Sequence, residues 1–265
     1  MIKFFRKIRY DLMEKNKTGK YLRYAIGEIL LVVIGILIAL SINNWNEKRK
    51  EMELEKSFLI NLKQEFEENL KSINSIISKR QVQLRALKRF DSLIIGSSLP
   101  IKNSEIDSLI GLCRYIPNFE AKTGVLENII SSGQLSIIQN TVLRKSLSNW
   151  TGELEDLRRK EDAFQDIIVL QFNPYLAKNH TLLLSDNYII ETLWENNTYY
   201  KNTWRNKRNS SVSELKYDKL LQDLEFESML SLINLWAISG QMSSEILRAK
   251  VKQIIEVIEG NLENS

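Results

Sequence analysis

Residues 24–47 read YAIGEILLVVIGILIALSINNWNE, and no other stretch constrains the chain as strongly. From Tyr24 to Ile42 there are nineteen residues whose only charge is Glu28, and twelve of them are Ile, Leu or Val. At about 1.5 Å per residue, a helix of that length covers roughly 28 Å, the thickness of a bilayer's hydrocarbon core. The aliphatic side chains favour insertion by roughly 4 to 6 kcal/mol, whereas an acidic residue costs about 3 kcal/mol even at mid-span. A membrane helix over residues 24–43 is therefore expected in spite of Glu28. A cleaved signal peptide has Ala39-Leu40-Ser41 in its favour, but the 23 residues before the run and the length of the run itself oppose it.

Charge gives an orientation. Of the 37 Lys/Arg and 33 Asp/Glu, eight basic and two acidic residues lie in 1–23, leaving 29 basic against 31 acidic in the remainder. The basic excess thus belongs to the N-terminal segment, and the Lys/Arg bias beside the span places 1–23 in the cytoplasm and 44–265 outside it. Tyr21 and Tyr24 on one side and Trp45 on the other suit the two interfacial belts. The first fifteen residues, MIKFFRKIRYDLMEK, either lie as a basic amphipathic helix on the inner leaflet or serve only as a positive flank. A near-neutral bulk without basic patches interleaved with aromatics argues against nucleic acid as a partner.

Glu28, Gly35 and Ala39 fall on one stripe of the apolar helix, with Gly35 and Ala39 spaced for close backbone approach. Two readings stand: a helix-pairing face on which Glu28 meets a donor from a second helix, or a carboxylate reaching back to the cytoplasmic interface. On the first reading the chain has a protein partner or forms a homo-oligomer through this helix. The bilayer is the other expected partner.

Together with the MIKFFRKIR start and the stretch Asn16, Lys17, Lys20, Tyr21, Leu22, the run resembles the N-terminal signature of a large uncharacterised family of bacterial single-pass membrane proteins, a domain of unknown function. LENIISSGQLSIIQNTVLRKSL (Leu126 to Leu147) and DLEFESMLSL (Asp223 to Leu232) are similar to the family's outer part. The resemblance implies a Gram-negative inner membrane and a helical periplasmic domain. It implies no activity.

Beyond residue 43 the expectation is all-α, with the membrane helix continuing into a rod and an antiparallel helical bundle at residues 44–265. Leu59, Leu62, Phe66, Ile73, Ile77, Leu84 and Leu87 recur at helical spacing with no turn signal before Gly96. Glu65, Glu67 and Glu68 then fall to the rod's solvated face. A short helix over 104–115 should end before Pro117, Thr123 should cap the next, and Asn140 the one after. In that last helix Leu143, Leu147, Trp150, Leu154, Leu157, Phe164 and Ile168 keep a heptad-like, coiled-coil seam with one polar slip at Glu161, ended or kinked by Pro174. A helix over about 186–205 is expected, and the final segment carries Leu221, Leu224, Leu232, Leu235, Leu247, Val251, Ile254 and Ile258.

Chemistry is sparse. Cys113 and His180 are the only residues of their kinds, which excludes an intramolecular disulfide and any multi-ligand thiolate or imidazole site within one chain. Cys113 reads as a small core residue and His180 as a solvated loop histidine. No glycine-rich phosphate cradle occurs, and no metal, cofactor or catalytic residue is assigned, so an enzyme is not expected. The cluster Tyr188, Trp194, Tyr199, Tyr200 and Trp204 reads either as a recognition surface or as side chains holding an irregular linker. Two functions are consistent with the pattern: an anchored interaction or scaffold module, and an extracytoplasmic ligand-sensing bundle that signals through a partner.

Overall fold

One helix, α1, covers Thr18–Ile94. The computed structural model describes residue 10 and residues 18–96, 102–190 and 217–263. These form two compact units, Met1–Ser57 and Phe58–Ser265, and α1 contributes to both. No proline interrupts residues 18–94, and the chain leaves the helix at Gly96, which adopts the left-handed φ of 73° that lacks a penalty only for glycine.

In the first unit α1 is apolar on every side from Ile29 to Leu40. Its most apolar 18-residue window has a mean hydropathy of 2.7 and is 0% buried. By length and composition it is the one helix among the described residues able to cross a membrane. A helix is the structure such a segment must take in lipid, because it satisfies each backbone N–H and C=O internally.

The second unit is all-α among its described residues. After α1 come α2 (Asn103–Arg114), α3 (Gly124–Ser131), a 3₁₀ turn (Gln134–Ile137) and α4 (Thr141–Asp166). A π-helical segment, Ile167–Phe172, leads from α4 into α5 (Asn173–Asn179). Pro174 lies at the start of α5, and its missing N–H accounts for the altered hydrogen bonding there. Then follow α6 (Leu183–Tyr188), α7 (Tyr217–Leu221) and α8 (Leu224–Glu263). Of the helix expected over about 186–205, residues 186–190 are helical in and directly after α6, and those from 191 onward lie outside the described residues.

Three long helices build two apolar clusters. In one, Leu59, Phe66 and Ile77 of α1 meet Leu143, Trp150 and Leu157 of α4 and Leu247, Val251 and Ile258 of α8. In the other, Leu87 and Phe90 meet Phe164 and Phe172, with Phe226, Ile233 and Ala237. The pairings fix direction: α8 runs antiparallel to the other two, whereas α1 and α4 run the same way. Lys63 of α1, paired with Glu259 of α8 at 2.7 Å, agrees with that order.

Parallel neighbours need a return connection, and residues 115–123 supply it in extended form along α1. Gln83 Nε2 donates to the carbonyls of Leu112, Cys113 and Tyr115 at 3.0, 3.3 and 2.6 Å. Arg80 Nη2 donates to the Pro117 carbonyl at 2.8 Å, and Asn69 exchanges two hydrogen bonds with the main chain of Lys122 at 2.8 and 2.7 Å. The lengths match: eleven helical residues from Asn69 to Arg80 rise about 16 Å, and five extended residues from 117 to 122 span about the same. A buried loop backbone must find partners, and α1 provides them from side chains.

Glu65 completes this row and corrects the expectation that it is solvated. It is 7% exposed and accepts hydrogen bonds from the N–H groups of Val125 at 2.6 Å and Leu126 at 3.2 Å. It thereby caps α3, the role expected of Thr123, whose hydroxyl donates instead to Glu127 at 2.7 Å. Asn140 does cap α4, accepting from the Leu143 N–H at 3.0 Å. On α8, Leu224, Leu232 and Leu235 are exposed, while Phe226, Leu230, Ile233 and Ala237, with Leu247, Val251, Ile254 and Ile258, face the core.

Candidate functional site

Between the two apolar clusters lies a polar layer. The slip at Glu161 in the α4 seam is a buried carboxylate, 6% exposed, whose Oε1 accepts from Arg80 Nη2 at 2.6 Å and from the Phe119 N–H at 3.1 Å. Arg80 is 1% exposed, and its Nε is buried without a hydrogen-bond partner. Gly240 of α8 makes the room: a Cβ there would collide with Arg80 Nη1. Ser243 and Ser244 follow on the same helix, and Lys160 Nζ reaches Ser243 Oγ at 2.5 Å. Burial pushes the Glu161 carboxyl up to about 7 against the pull of the Arg80 guanidinium, and burial likewise lowers Arg80.

Because the guanidinium is pinned from two sides, it cannot swing away from an added side chain. Gly240→Val should lower stability by about 1–3 kcal/mol through overpacking, read as a fall in the denaturation midpoint of the full chain. An unchanged midpoint would show that Arg80 has somewhere else to go.

On the outer side of this layer, a cleft of about 550 Å³ opens between α4 and the return segment, lined by Asn118, Phe119, Thr151, Leu154 and Arg158, among others. Glu120, Glu127, Glu155, Glu161 and Asp162 also line it. Glu161 is already matched by Arg80, and the other four carboxylates against the one guanidinium of Arg158 favour a cationic over an anionic occupant.

His180 is corrected by the structure. Its side chain is 2% exposed, with Nε2 at 3.4 Å from Asp107 Oδ1 and its ring edge-on to Tyr217 at 5.0 Å. Tyr217 donates to Asp107 Oδ2 at 2.9 Å. The polar neighbours Asn179 and Thr181 disguised a histidine that closes the α2–α7 contact. Cys113 is buried and its thiol is pushed up by that burial, far from a reactive thiolate. Among the described residues no group of His, Cys, Asp and Glu is placed to hold a metal ion.

Burial and the hydrogen bonds to Asp107 and Asp223 hold the Tyr217 and Tyr175 hydroxyls above their ordinary value of 10.0. The unfolded chain releases these protons near pH 10 while the folded chain retains them, so stability falls as pH rises beyond 10. Tyr217→Phe should flatten the alkaline limb of a stability–pH curve. An equally steep limb in the Tyr175→Phe/Tyr217→Phe double variant would remove this explanation.

The other residues singled out in the sequence are dispersed. Glu28 is half-exposed, and Gly35 and Ala39 are exposed on α1; a Cβ at Gly35 would meet nothing within 4 Å. Trp45 is exposed, with Arg49 over its ring at 5.9 Å. Tyr188 packs over Gly111 of α2, which favours a structural role for that one aromatic. Trp194, Tyr199, Tyr200 and Trp204, with the side chains of Tyr21 and Tyr24 and most of residues 1–23, lie outside the described residues. The buried row Glu65, Asn69, Arg80, Gln83 and its partner Glu161 escaped sequence reading; the only signal was a polar residue at a core position, Glu161.

No curated protein and no solved structure matches the chain. Residues 28–155, just under half of the chain, match the model of a family of unknown function (DUF6090), from Glu28 in the apolar stretch through the return segment into α4.

Proposed function

We propose that the chain is a single-pass, membrane-anchored helical interaction or scaffold module of a bacterial inner membrane. The observation that carries this reading is the contrast within α1. Ile29 to Ile42 form an apolar surface that is exposed at every position, while from Leu59 onward the same helix buries its apolar face in a folded unit. A helix that is apolar all round needs an apolar environment, and lipid is the one its length suits. In this reading residues 1–23 are cytoplasmic, 24–43 span the bilayer and 44–265 are periplasmic, following the Lys/Arg bias. Glu28, Gly35 and Ala39 then form a helix-pairing face in the membrane, and Tyr21, Tyr24 and Trp45 anchor the interfaces.

His180, Asp107 and Tyr217 are closed off from solvent and hold the α2–α7 contact. A ligand-sensing bundle acting through a partner is the second reading, favoured by the acidic cleft beside Glu161. A rise in melting temperature with a small cationic ligand would support it.

The anchor is tested in cells carrying a C-terminal epitope. The expected result is a carbonate-resistant membrane protein whose epitope is digested in spheroplasts and protected in intact cells. An epitope protected in spheroplasts overturns the orientation, and release by carbonate overturns the anchor.

A further inference from the structure

The cleft beside Glu161 is elongated. Its α4 lining residues, Thr151, Leu154, Glu155, Arg158, Glu161 and Asp162, recur at threes and fours on one side of that helix and rise about 16 Å from first to last. Phe119 and Ala121 of the return segment face them, and with Leu154 and Leu157 they set apolar surface among the carboxylates. Its volume of about 550 Å³ lies within the range of small-molecule sites, about 300–1,000 Å³.

Two observations define the charge and shape of what fits. The first is Glu161, which lines the cleft yet is only 6% exposed. Its hydrogen bonds from Arg80 and from the Phe119 N–H both end on Oε1, and Oε2 accepts none among the described residues. A carboxylate can accept about four such bonds, so this oxygen has room for a donor that enters from the cleft. Along the walls Arg158 meets Asp162 at 4.0 Å, whereas Glu120 and Glu155 have neither an ion pair nor a hydrogen bond among the described residues. The second observation is that these acids are strung out rather than gathered: no three of them converge as a metal ion would require. A point cation meets too few of them, and an extended cation meets several.

We infer that the cleft binds a linear aliphatic polyamine, whose ammonium groups are taken by Glu120, Glu155 and Oε2 of Glu161 while its methylenes lie on Phe119, Leu154 and Leu157. Length agrees, since Glu155 and Glu161 stand about 9 Å apart along α4, a gap that a triamine in extended form bridges and a single ammonium does not. Chemistry agrees as well. An ammonium group carries donors only, and the unfilled atoms of the lining are acceptors; the carbon chain gains by leaving water against the apolar residues. The inference rests on the ligand-sensing reading of this cleft and adds the class of ligand; it requires nothing of the membrane anchor.

The test is equilibrium dialysis of labelled spermidine against the full chain in nonionic detergent micelles, with putrescine and magnesium chloride as competitors. The expected result is saturable, stoichiometric binding of spermidine, weaker competition by putrescine, and no displacement by equimolar magnesium. Glu120→Gln/Glu155→Gln should weaken spermidine roughly 5- to 10-fold and leave the melting temperature of the unliganded chain unchanged, because both side chains are exposed. Glu225→Gln/Glu227→Gln removes the same charge from exposed positions on α8 and should leave affinity as it was. Equal losses in the two double variants, displacement by magnesium, putrescine that competes as well as spermidine, or no saturable binding each overturns the inference. If spermidine does not bind but another small cation raises the melting temperature of the wild type and not of Glu120→Gln/Glu155→Gln, the polyamine is overturned and the ligand-sensing reading stands. Spermidine that binds as expected without altering association with any partner protein upholds the site and removes the sensing role.

Discussion

Glu161→Leu is expected to lower the melting temperature of the folded unit by roughly 10 °C. The substitution leaves the Arg80 guanidinium buried with no counter-charge, a situation that costs about 3–5 kcal/mol, and each kcal/mol moves a domain of this size by about 2–4 °C. Arg80→Met should cost less. The stranded Glu161 carboxyl, already raised to about 7 by burial, can neutralise itself by keeping a proton, whereas a guanidinium cannot shed one. The Arg80→Met/Glu161→Leu double variant should recover most of the loss, because an apolar pair of similar volume avoids desolvating two charges. Additive losses in the double-mutant cycle would show that the two side chains do not act as a pair.

Phe226→Ala carries the other large effect. Phe226 is 0% exposed and its ring lies 5.5 Å from Phe90, 6.0 Å from Phe172 and 6.1 Å from Tyr175. Truncation removes the contacts that join α1, α8, α5 and the π segment, and should cost about 3–5 kcal/mol. Leu235→Ala, nine residues along the same helix but on the exposed face, should change monomer stability by no more than about 0.5 kcal/mol. Denaturant midpoints at constant slope report both. Similar losses from the two would contradict the assignment of the faces.

The helices were legible where one face is apolar and the other charged. Leu59, Leu62, Phe66, Ile73 and Ile77 alternate with Lys and Glu, so periodicity alone oriented α1. On α8 the same reasoning does not separate Leu224, Leu232 and Leu235 from the core residues, since a helix apolar on both sides has no period that distinguishes its buried from its exposed face. The candidate site was legible only as an anomaly. Glu161 stood out as a polar residue in an apolar seam, but its partner Arg80 lies 81 residues away among many other basic residues, and nothing local connects the two. Glu65 was read as solvated because its neighbours Glu67 and Glu68 resemble it; the N–H groups it caps are some 60 residues further on. His180 was hidden by polar sequence neighbours that do not share its burial.

The extended return segment has a mechanical consequence. Glu65, Asn69, Arg80 and Gln83 grip main-chain groups at fixed heights along α1, and hydrogen-bond distances tolerate only a few tenths of an ångström. Sliding α1 by a single residue, about 1.5 Å, would break these bonds together rather than one after another. The segment therefore works as a rack engaged by a pinion's teeth. It blocks axial slip of α1 past residues 112–126, so the register of the two is held at four points at once.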